Sequence, residues 1–406
     1  MNDKCEKIVR NEFKDNDGIF QLFPCWVTRD FLPSGRRLGL KPQEYDAGRK
    51  GEICERWLVS ETQTDNTIFT EHEGQSYLKL HTGGEKILLY EALDVLGEQA
   101  FGKDYYRNHK TLNRLLKIYD FKTRLFYHIH QMQKDVSALG KKSKEEAYYY
   151  LDSDVGAHPE TFFGVIPSIV EDHRQEEIFV PYLKKWQGDE ILKYSYAYMN
   201  VPGEGFHLPS GILHAPGTAL TLELQESSDV MAVLQASIEG IPQNRHLLTK
   251  DVNPAKIKEL GDERAVLEQI DWKACSDPYF YENHHLAPVA VKGKTPDGVK
   301  DEWVWYNSTK FSGMRMIIEP GKSYTYTAQG IHGLFVWKGT GFVEDFAVEG
   351  QKVSLTDSND EFLIGYEKAR KGVTIRNTGT ENMVLFKFFG PDINNTIVPY
   401  ILKRTK

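Results

Sequence analysis

Cysteine is scarce in this sequence, and its arrangement excludes two classes of protein. Only four of the 406 residues are cysteine, and they form no CxxC pair and no regular framework. A small secreted domain held by disulfides is therefore excluded, and none of the four is a candidate metal ligand or nucleophile. We expect reduced, buried cysteines and a cytoplasmic protein.

Long apolar runs and an excess of basic residues are also missing. Apolar runs such as residues 230–234 are far shorter than the roughly 20 residues of a bilayer-spanning helix. Residues 1–16 are polar and charged, so we expect no signal peptide. The formal net charge of −8 argues against nucleic acid or a membrane surface as partner, because both bind basic faces. An anionic small molecule stays open, because a local pocket can oppose the overall charge.

Length and turn pattern predict two β domains. A chain of 406 residues exceeds one ordinary core, and contents of 40% hydrophobic and 27% charged residues are typical of globular proteins. Short strands separated by glycine and proline fill two long regions, which predicts a mainly β protein with two barrels or sandwiches of jelly-roll type. We place the boundary near 272–276, giving domains 1–272 and 273–406.

Two stretches are predicted to be helical additions to the first domain. Leucine and alanine recur at three- and four-residue intervals across 88–118, a spacing typical of one or two amphipathic helices. A second helix is predicted across 254–270, where Asn253 can cap the first turn and Pro254 suits it.

Three histidines are candidate metal ligands. His128 and His130 are separated by one residue, and because side chains alternate along a strand, both would point to one face. His214 ends the sequence PSGILH, in which proline and glycine define a turn that feeds a strand. Imidazole ligands suit zinc or a neighbouring first-row metal. A pair of this kind can equally be exposed on a strand, so the pair alone leaves metal binding open. His207 lies seven residues before His214 and is a candidate substrate-binding or supporting residue of the same pocket.

These motifs together resemble the cupin superfamily pattern, and over most of the chain the sequence is similar to the type I mannose-6-phosphate isomerases, which are zinc-dependent cupin enzymes. The segments that carry the resemblance are GEICERWLVS (51–60), LFYHIH (125–130), KEEAY (144–148), PGEGFHLPSGILHA (202–215) and LQESSDV (224–230). The resemblance implies two cupin domains, the first with helical additions and the second without metal, because Tyr324 and Tyr326 stand where cupin histidines would be expected.

The same resemblance implies a site and a reaction. The implied ligands of one divalent metal are His128, His130, Glu146 and His214, and the implied active-site lysine is Lys144. Zinc is the expected metal, with iron, nickel and manganese as alternatives. The expected partner is a sugar or sugar phosphate, and the leading reaction is the isomerisation of mannose 6-phosphate to fructose 6-phosphate. The sequence does not indicate an oligomeric state.

Two departures from the family pattern leave other functions open. The family has glutamine at the position of His128, and three histidines with one glutamate also form the metal set of cupin oxygenases. The family has an arginine at the position of Val233, which offers no charge for a phosphate; Arg245, Lys250 or Lys144 could supply it instead. We therefore expect Arg245 to contact substrate, and we keep two alternatives, a non-catalytic sugar-binding cupin and a cupin oxygenase.

Overall fold

Antiparallel β-sheets make up most of the structure. The chain is described here as a computed structural model that covers residues 1–81, 83–293 and 295–405. The strands of the first region are β1 (Ile19–Gln21), β2 (Cys25–Arg29), β3 (Glu52–Leu58), β4 (Arg114–Tyr119), β5 (His128–Ile129), β6 (Glu146–Tyr150), β7 (Glu160–Phe163), β8 (Tyr196–Met199), β9 (Gly205–Leu208), β10 (His214–Ala215), β11 (Thr221–Glu226), β12 (Ala232–Val233), β13 (Ser237–Ile238) and β14 (Ile241–Pro242).

The second region continues with further strands and has few helices. These strands are β15 (His285–Leu286), β16 (Val289–Ala290), β17 (Val299–Trp305), β18 (Ser312–Ile318), β19 (Ser323–Tyr326), β20 (His332–Lys338), β21 (Thr340–Val343), β22 (Phe346–Glu349), β23 (Glu361–Ile364), β24 (Val373–Asn377) and β25 (Met383–Phe389). The mainly β character predicted for both regions is therefore confirmed.

The larger sheets fall into two pairs. In the first pair, one sheet has the strand order β15-β9-β6-β11-β4-β3-β2 and the other has the order β12-β5-β10-β7-β8. In the second pair, the orders are β1-β23-β20-β25-β18-β17-β16 and β19-β24-β21-β22. Strand β1 joins the sheet of the later strands, whereas β15 joins β9 of the earlier ones. The division into domains 1–272 and 273–406, and the closure of each pair into a jelly-roll barrel, stay predictions.

Helices lie mainly between the strands of the first region. They are α1 (Asp3–Asp15), α2 (Leu89–Leu96), α3 (Glu98–Phe101), α4 (Lys103–Asn108), α5 (Gln133–Val136), α6 (Pro167–Glu171), α7 (Gln175–Lys185), α8 (Pro254–Leu260), α9 (Asp262–Leu267), α10 (Trp272–Cys275), α11 (Phe280–His284) and α12 (Tyr366–Lys371). None of the helices in the described ranges combines the length and the apolar character needed to cross a bilayer.

The prediction of a helical stretch across 88–118 is wrong in its second half. Helices α2 to α4 end at Asn108, and residues 114–119 form β4 inside the first sheet. Every residue of β4 is buried, including the adjacent Leu115 and Leu116. A strand buried on both faces carries apolar residues at neighbouring positions, and that pattern cannot be told from a helical one by spacing alone.

The helix predicted across 254–270 begins where expected and is interrupted midway. The Asn253 side chain accepts a hydrogen bond from the backbone N–H of Ala255, and Pro254 occupies the first turn. Gly261 then adopts φ +80°, a backbone conformation that ends α8 and starts α9.

A buried ion cluster connects β3 of the first sheet to the sheet that contains β23. The Arg56 guanidinium donates to Asp360 at 2.6 and 2.8 Å and to Glu361 at 3.1 Å. All three side chains are nearly inaccessible to solvent. Because a buried charge without its partner is strongly destabilising, this cluster holds the two sheets in a fixed relation.

Candidate metal centre

Three histidines predicted as ligands converge on one point. His128 lies on β5 and pairs in register with His214 on β10, so the two imidazoles are neighbours across the strands. His130 follows two residues after His128 on the same face. The imidazole nitrogens of the three lie within 4.8 Å of one another, and all three residues are buried. The spatial convergence expected from the sequence is therefore present.

Backbone carbonyls orient each ring. The Nδ1 atoms of His128, His130 and His214 lie 2.8, 2.7 and 2.8 Å from the carbonyl oxygens of Phe126, Val230 and Ile212. Because carbonyl oxygens only accept, each Nδ1 carries the proton and each Nε2 presents a lone pair to the common point. This is the arrangement by which proteins fix the tautomer of metal-binding histidines.

Glu146 lies at the same point, on β6 of the other sheet of the pair. Its Oε1 is 3.1 Å from His214 Nε2, and its Oε2 is 3.1 Å from His130 Nε2. The carboxylate oxygens and the Nε2 lone pairs are all acceptors, so these approaches are repulsive unless a cation lies between them. His214 Nε2 is also a buried atom without a hydrogen bond. The donor set thus fits a divalent first-row cation held by three imidazoles and one carboxylate.

Burial and neighbouring charges set the protonation states that such ligation requires. Burial lowers the pKa of His128 well below its ordinary value, and burial and the Lys144 ammonium lower the pKa of His130 to about 4. Burial alone would raise the pKa of Glu146, but Lys144 and His130 outweigh burial and hold it well below its ordinary range. The imidazoles of His128 and His130 are therefore neutral and the Glu146 carboxylate is ionised at neutral pH, as metal binding demands.

Lys144 is the first member of a row of buried charges beside the histidines. Its Nζ lies 2.8 Å from Glu146 Oε2, 3.0 Å from Glu223 Oε1 and 3.0 Å from His130 Nε2. Lys117 Nζ in turn lies 3.2 Å from Glu223 Oε1. The register explains the row, because β11 lies between β4 and β6 and places Glu223 directly opposite Lys117.

Lys144 is held as a charged ammonium. Burial lowers the pKa of Lys144, but Glu146 and Glu223 raise it more, so the pKa lies above its ordinary value. The lowered pKa that would suit Lys144 as a proton-abstracting base is therefore not found. The pKa of the neighbouring Glu223 carboxyl is also raised, because burial and the negative charge of Glu146 both disfavour its ionised form.

A second charged group closes the other side of the row. Arg29 on β2 donates to Glu55 at 2.9 and 3.1 Å and to Asp229 at 3.1 and 3.2 Å. Arg29 and Glu55 are almost fully buried. Glu55 also lies 3.9 Å from Lys117, so the second group is continuous with the first.

These side chains line a small inner cavity that adjoins a larger outer one. The inner cavity measures about 40 Å³ and is lined by His128, His130, Lys144, Glu146, Glu223, Lys117, Glu55, Arg29 and Asp229, together with aromatic and aliphatic residues. The outer cavity measures about 390 Å³ and shares Arg29, Phe31 and Met231 with the inner one. A ligand that reaches the histidines can therefore extend outward through the larger space.

The two other residues predicted to contact substrate lie outside the cavity linings. His207 pairs with Ala147, the residue next to Glu146 on β6, and so points to the opposite face of the sheet. Its Nε2 lies 2.8 Å from Glu145 and its Nδ1 lies 3.1 Å from Asn307. The Arg245 guanidinium donates to Asp262 at 2.7 Å and to Glu263 at 2.6 Å. Neither side chain is among those that line the two cavities.

Position 233 contributes no charge to the site. Val233 lies on β12, pairs with His128 and is fully buried. Of the two lysines considered in its place, Lys250 lines the outer cavity and donates to the Asp65 carbonyl at 2.8 Å, whereas Lys144 is engaged with the carboxylates described above.

Sequence reasoning missed Lys117, Glu223, Glu55, Arg29 and Asp229. Lys117 lies in the stretch 88–118, for which the leucine spacing predicts a helix. A helix prediction gives no information about the cross-strand neighbour of Lys117. Glu223 stands in the apolar strand sequence TLEL, and a lone acidic residue inside such a strand is the available signal for an inward-facing charge.

Known structures share this fold at low sequence identity. The sequence matches no protein-family model and no curated protein. Mannose 6-phosphate isomerase from Bacillus subtilis is 17% identical, with 91% of this chain and 98% of that chain covered at a TM-score of 0.56. A mutant of phosphomannose isomerase from Salmonella typhimurium is 12% identical, with 91% and 99% covered at 0.59. A zinc-bound mannose 6-phosphate isomerase is 13% identical, with 92% and 99% covered at 0.57. At these identities the likeness establishes the fold, which extends over nearly the whole chain.

Proposed function

We propose that the protein is a metal-dependent aldose–ketose isomerase of a hexose or hexose phosphate. The observation that carries the proposal is the convergence of His128, His130, His214 and Glu146 beside the buried pair Lys144 and Glu223. The shared fold supports it, because the similar structures include a zinc-bound mannose 6-phosphate isomerase. Zinc is accordingly the metal we propose, in a cytoplasmic enzyme of the type I mannose-6-phosphate isomerase kind, with mannose 6-phosphate to fructose 6-phosphate as the reaction named by the resemblance.

The reaction requires positive charge near a substrate oxygen and a group that carries a proton between two adjacent carbons of the sugar. Moving a proton between C1 and C2 of a sugar passes through an enediol, so negative charge develops on a substrate oxygen. His128, His130, His214 and Glu146 would hold a divalent cation, which would supply Lewis-acid stabilisation of that charge. The Lys144 ammonium adds a second positive charge and a proton donor at Nζ.

Glu223 is the residue we assign as the proton carrier. Its carboxyl lies inside the cavity, and its raised pKa makes it a stronger base than an ordinary glutamate. The Nζ atoms of Lys117 and Lys144 approach its Oε1 from two sides and fix its orientation. A carboxylate held in this way can take a proton from one carbon and return it to the next.

The assay that tests the proposal uses zinc-loaded protein and a panel of free and phosphorylated hexoses, with interconversion followed by chromatography. We expect one aldose–ketose pair to interconvert, and the His214→Ala variant to be inactive because it lacks one ligand. Absence of interconversion across the whole panel, with zinc bound, would remove this proposal.

Two other functions are favoured by specific features and have their own readouts. Three histidines with one glutamate also suit a cupin oxygenase, which would consume dioxygen and hold a redox-active metal. Val233 favours a non-catalytic sugar-binding protein, which would be stabilised by a sugar without turning it over. Metal analysis, an oxygen electrode and thermal unfolding with added sugars distinguish the three.

A further inference from the structure

The two adjoining cavities determine where a hexose must lie. A cavity must measure about 10–15 Å³ to hold one water molecule. The inner cavity measures about 40 Å³ and therefore admits only a small part of a sugar. The outer cavity of about 390 Å³ has the size of a ligand site. With the reacting carbons at the histidines, the far end of a hexose therefore lies in the outer cavity, and this is where a 6-phosphate would have to be bound.

Arg29 lines both cavities, and all of its N–H groups already donate hydrogen bonds to other residues of the protein. A guanidinium has five N–H groups in a fixed planar arrangement. In Arg29, Nε–H and one Nη2–H donate to Glu55, the other Nη2–H and one Nη1–H donate to Asp229, and the last Nη1–H donates to Asn66 at 2.8 Å. No donor remains with which Arg29 could take a phosphate in the bidentate way that makes arginine a phosphate ligand.

Each lysine of the cavities also lies against a carboxylate, although not all of their donors are used. Lys144 contacts Glu146, Glu223 and His130 within 3.0 Å, and Lys117 lies 3.2 Å from Glu223. In the outer cavity, Lys250 donates to the backbone carbonyl of Asp65 at 2.8 Å and lies 3.5 Å from its carboxylate.

The lining of the outer cavity offers an anion no excess of positive charge. Its lysine and arginine side chains are Arg29 and Lys250, its acidic ones are Asp30 and Asp65, and His246 also lines it. A phosphate monoester carries a charge of about −1.5 to −2 near pH 7. Bound in the outer cavity it would meet Asp30 and Asp65 together with Lys250, which already lies against Asp65.

We propose that the substrate is an uncharged hexose and not a hexose phosphate, an inference that rests on the proposed isomerase function. The outer cavity is also lined by the amides of Gln243 and Asn244 and by the hydroxyl of Thr67. Amide and hydroxyl groups both donate and accept hydrogen bonds, as sugar hydroxyls do. Recognition of the far end by such groups needs no net positive charge.

The first test compares D-mannose and D-fructose with their 6-phosphates on the zinc-loaded full chain. An anion left without a partner loses at least one charged hydrogen bond, so we expect kcat/KM for the free sugar to exceed that for its 6-phosphate by at least about tenfold. A preference of the same size for the phosphorylated sugar overturns the inference and leaves the isomerase proposal standing.

A second test frees the engaged arginine. The Asp229→Asn variant keeps the size of the side chain but removes the charge that occupies two donors of Arg29, so we expect the affinity for mannose 6-phosphate to rise at least about tenfold. The matched control is Asp262→Asn, which frees Arg245 outside both cavities and should leave that affinity unchanged. No gain in the Asp229→Asn variant, or an equal gain in the control, overturns the inference.

If the protein isomerises neither form, the isomerase proposal fails and binding still decides the ligand class. Thermal unfolding of the zinc-loaded protein is then measured with D-mannose and with mannose 6-phosphate at equal concentrations. Stabilisation by the free sugar alone supports an uncharged ligand. Stabilisation by the phosphate alone, by both equally or by neither overturns it.

Discussion

Removing His214 should abolish the stabilisation of the protein by zinc. A ligand that binds only the folded state stabilises it by RT ln(1 + [L]/Kd), which is about 2.7 kcal/mol at a concentration of 100 Kd. Loss of a group that merely supports a metal ligand weakens binding 10- to 100-fold, so loss of a ligand itself should weaken it by at least about 100-fold. At the same zinc concentration the variant then gains only about 0.4 kcal/mol.

These free energies convert to measurable shifts in melting temperature. An unfolding entropy of about 2.1 cal/mol/K per residue gives about 850 cal/mol/K for 406 residues. We therefore expect zinc to raise the melting temperature of the natural protein by about 3 °C and that of His214→Ala by about 0.5 °C. Differential scanning calorimetry with and without zinc, after treatment with a chelator, measures both.

His284 provides the matched control for His214. It is also a buried histidine, and its Nδ1 also lies 2.8 Å from a backbone carbonyl, that of His207. It lines neither cavity. The His284→Ala variant should melt lower than the natural protein without zinc yet keep the full shift with zinc. If His214→Ala keeps that shift, or His284→Ala loses it, the proposed metal centre is refuted.

Three further outcomes follow from other buried groups. Glu223→Gln should lower kcat by about 10²–10⁴-fold while leaving the zinc-induced shift intact, measured by steady-state kinetics and calorimetry. Burial lowers the pKa of His332 to about 3. Because the unfolded chain binds that proton near pH 6.5 and the folded protein does not, the free energy of unfolding falls as the pH drops below 6.5. Between pH 7 and 5 the natural protein should therefore lose about 2 kcal/mol more than His332→Gln, measured by urea unfolding. Asp360→Ala removes a partner of buried Arg56 and should cost about 3–5 kcal/mol in the same assay, whereas Asp104→Ala at an exposed ion pair should cost less than about 1 kcal/mol.

The sequence predicted those parts of the fold in which a local pattern has one structural meaning. Alternation along a strand placed His128 and His130 on one face, and Asn253 with Pro254 located the start of α8. The helix prediction for residues 112–118 is wrong because leucines at neighbouring positions fit both a helix and a strand buried on both faces. Only the pairing of β4 with β3 and β11 settles the choice, and that pairing joins residues 55–58 and 221–226 to it. The paired residues lie far apart along the chain, so a local sequence pattern does not predict that they pair.

For the site, ligands were easier to predict than the charges around them. A histidine near a turn has few roles, so His214 could be singled out, whereas Arg29, Glu55 and Asp229 each resemble an ordinary surface charge when viewed alone. They form one cluster only in the folded protein, where Arg29 contacts Glu55, 26 residues away in sequence, and Asp229, 200 residues away. His207 illustrates the converse error, because closeness to His214 in sequence suggested a shared pocket, but the strand places its side chain on the other face of the sheet.

The buried charges around the cavity are better explained by selection of a ligand than by stability of the fold. Removing two charges from water costs about as much as their attraction returns, so well-packed apolar residues could hold these strands together equally well. An apolar lining, however, could not orient Glu223 between two ammonium groups or fill every donor of Arg29. In the proposed isomerase this arrangement would keep Glu223 in place as the proton carrier and would leave Arg29 without a free donor for an anionic group. Under that proposal, positioning of the reacting end and rejection of a charged far end are two consequences of the same set of ion pairs.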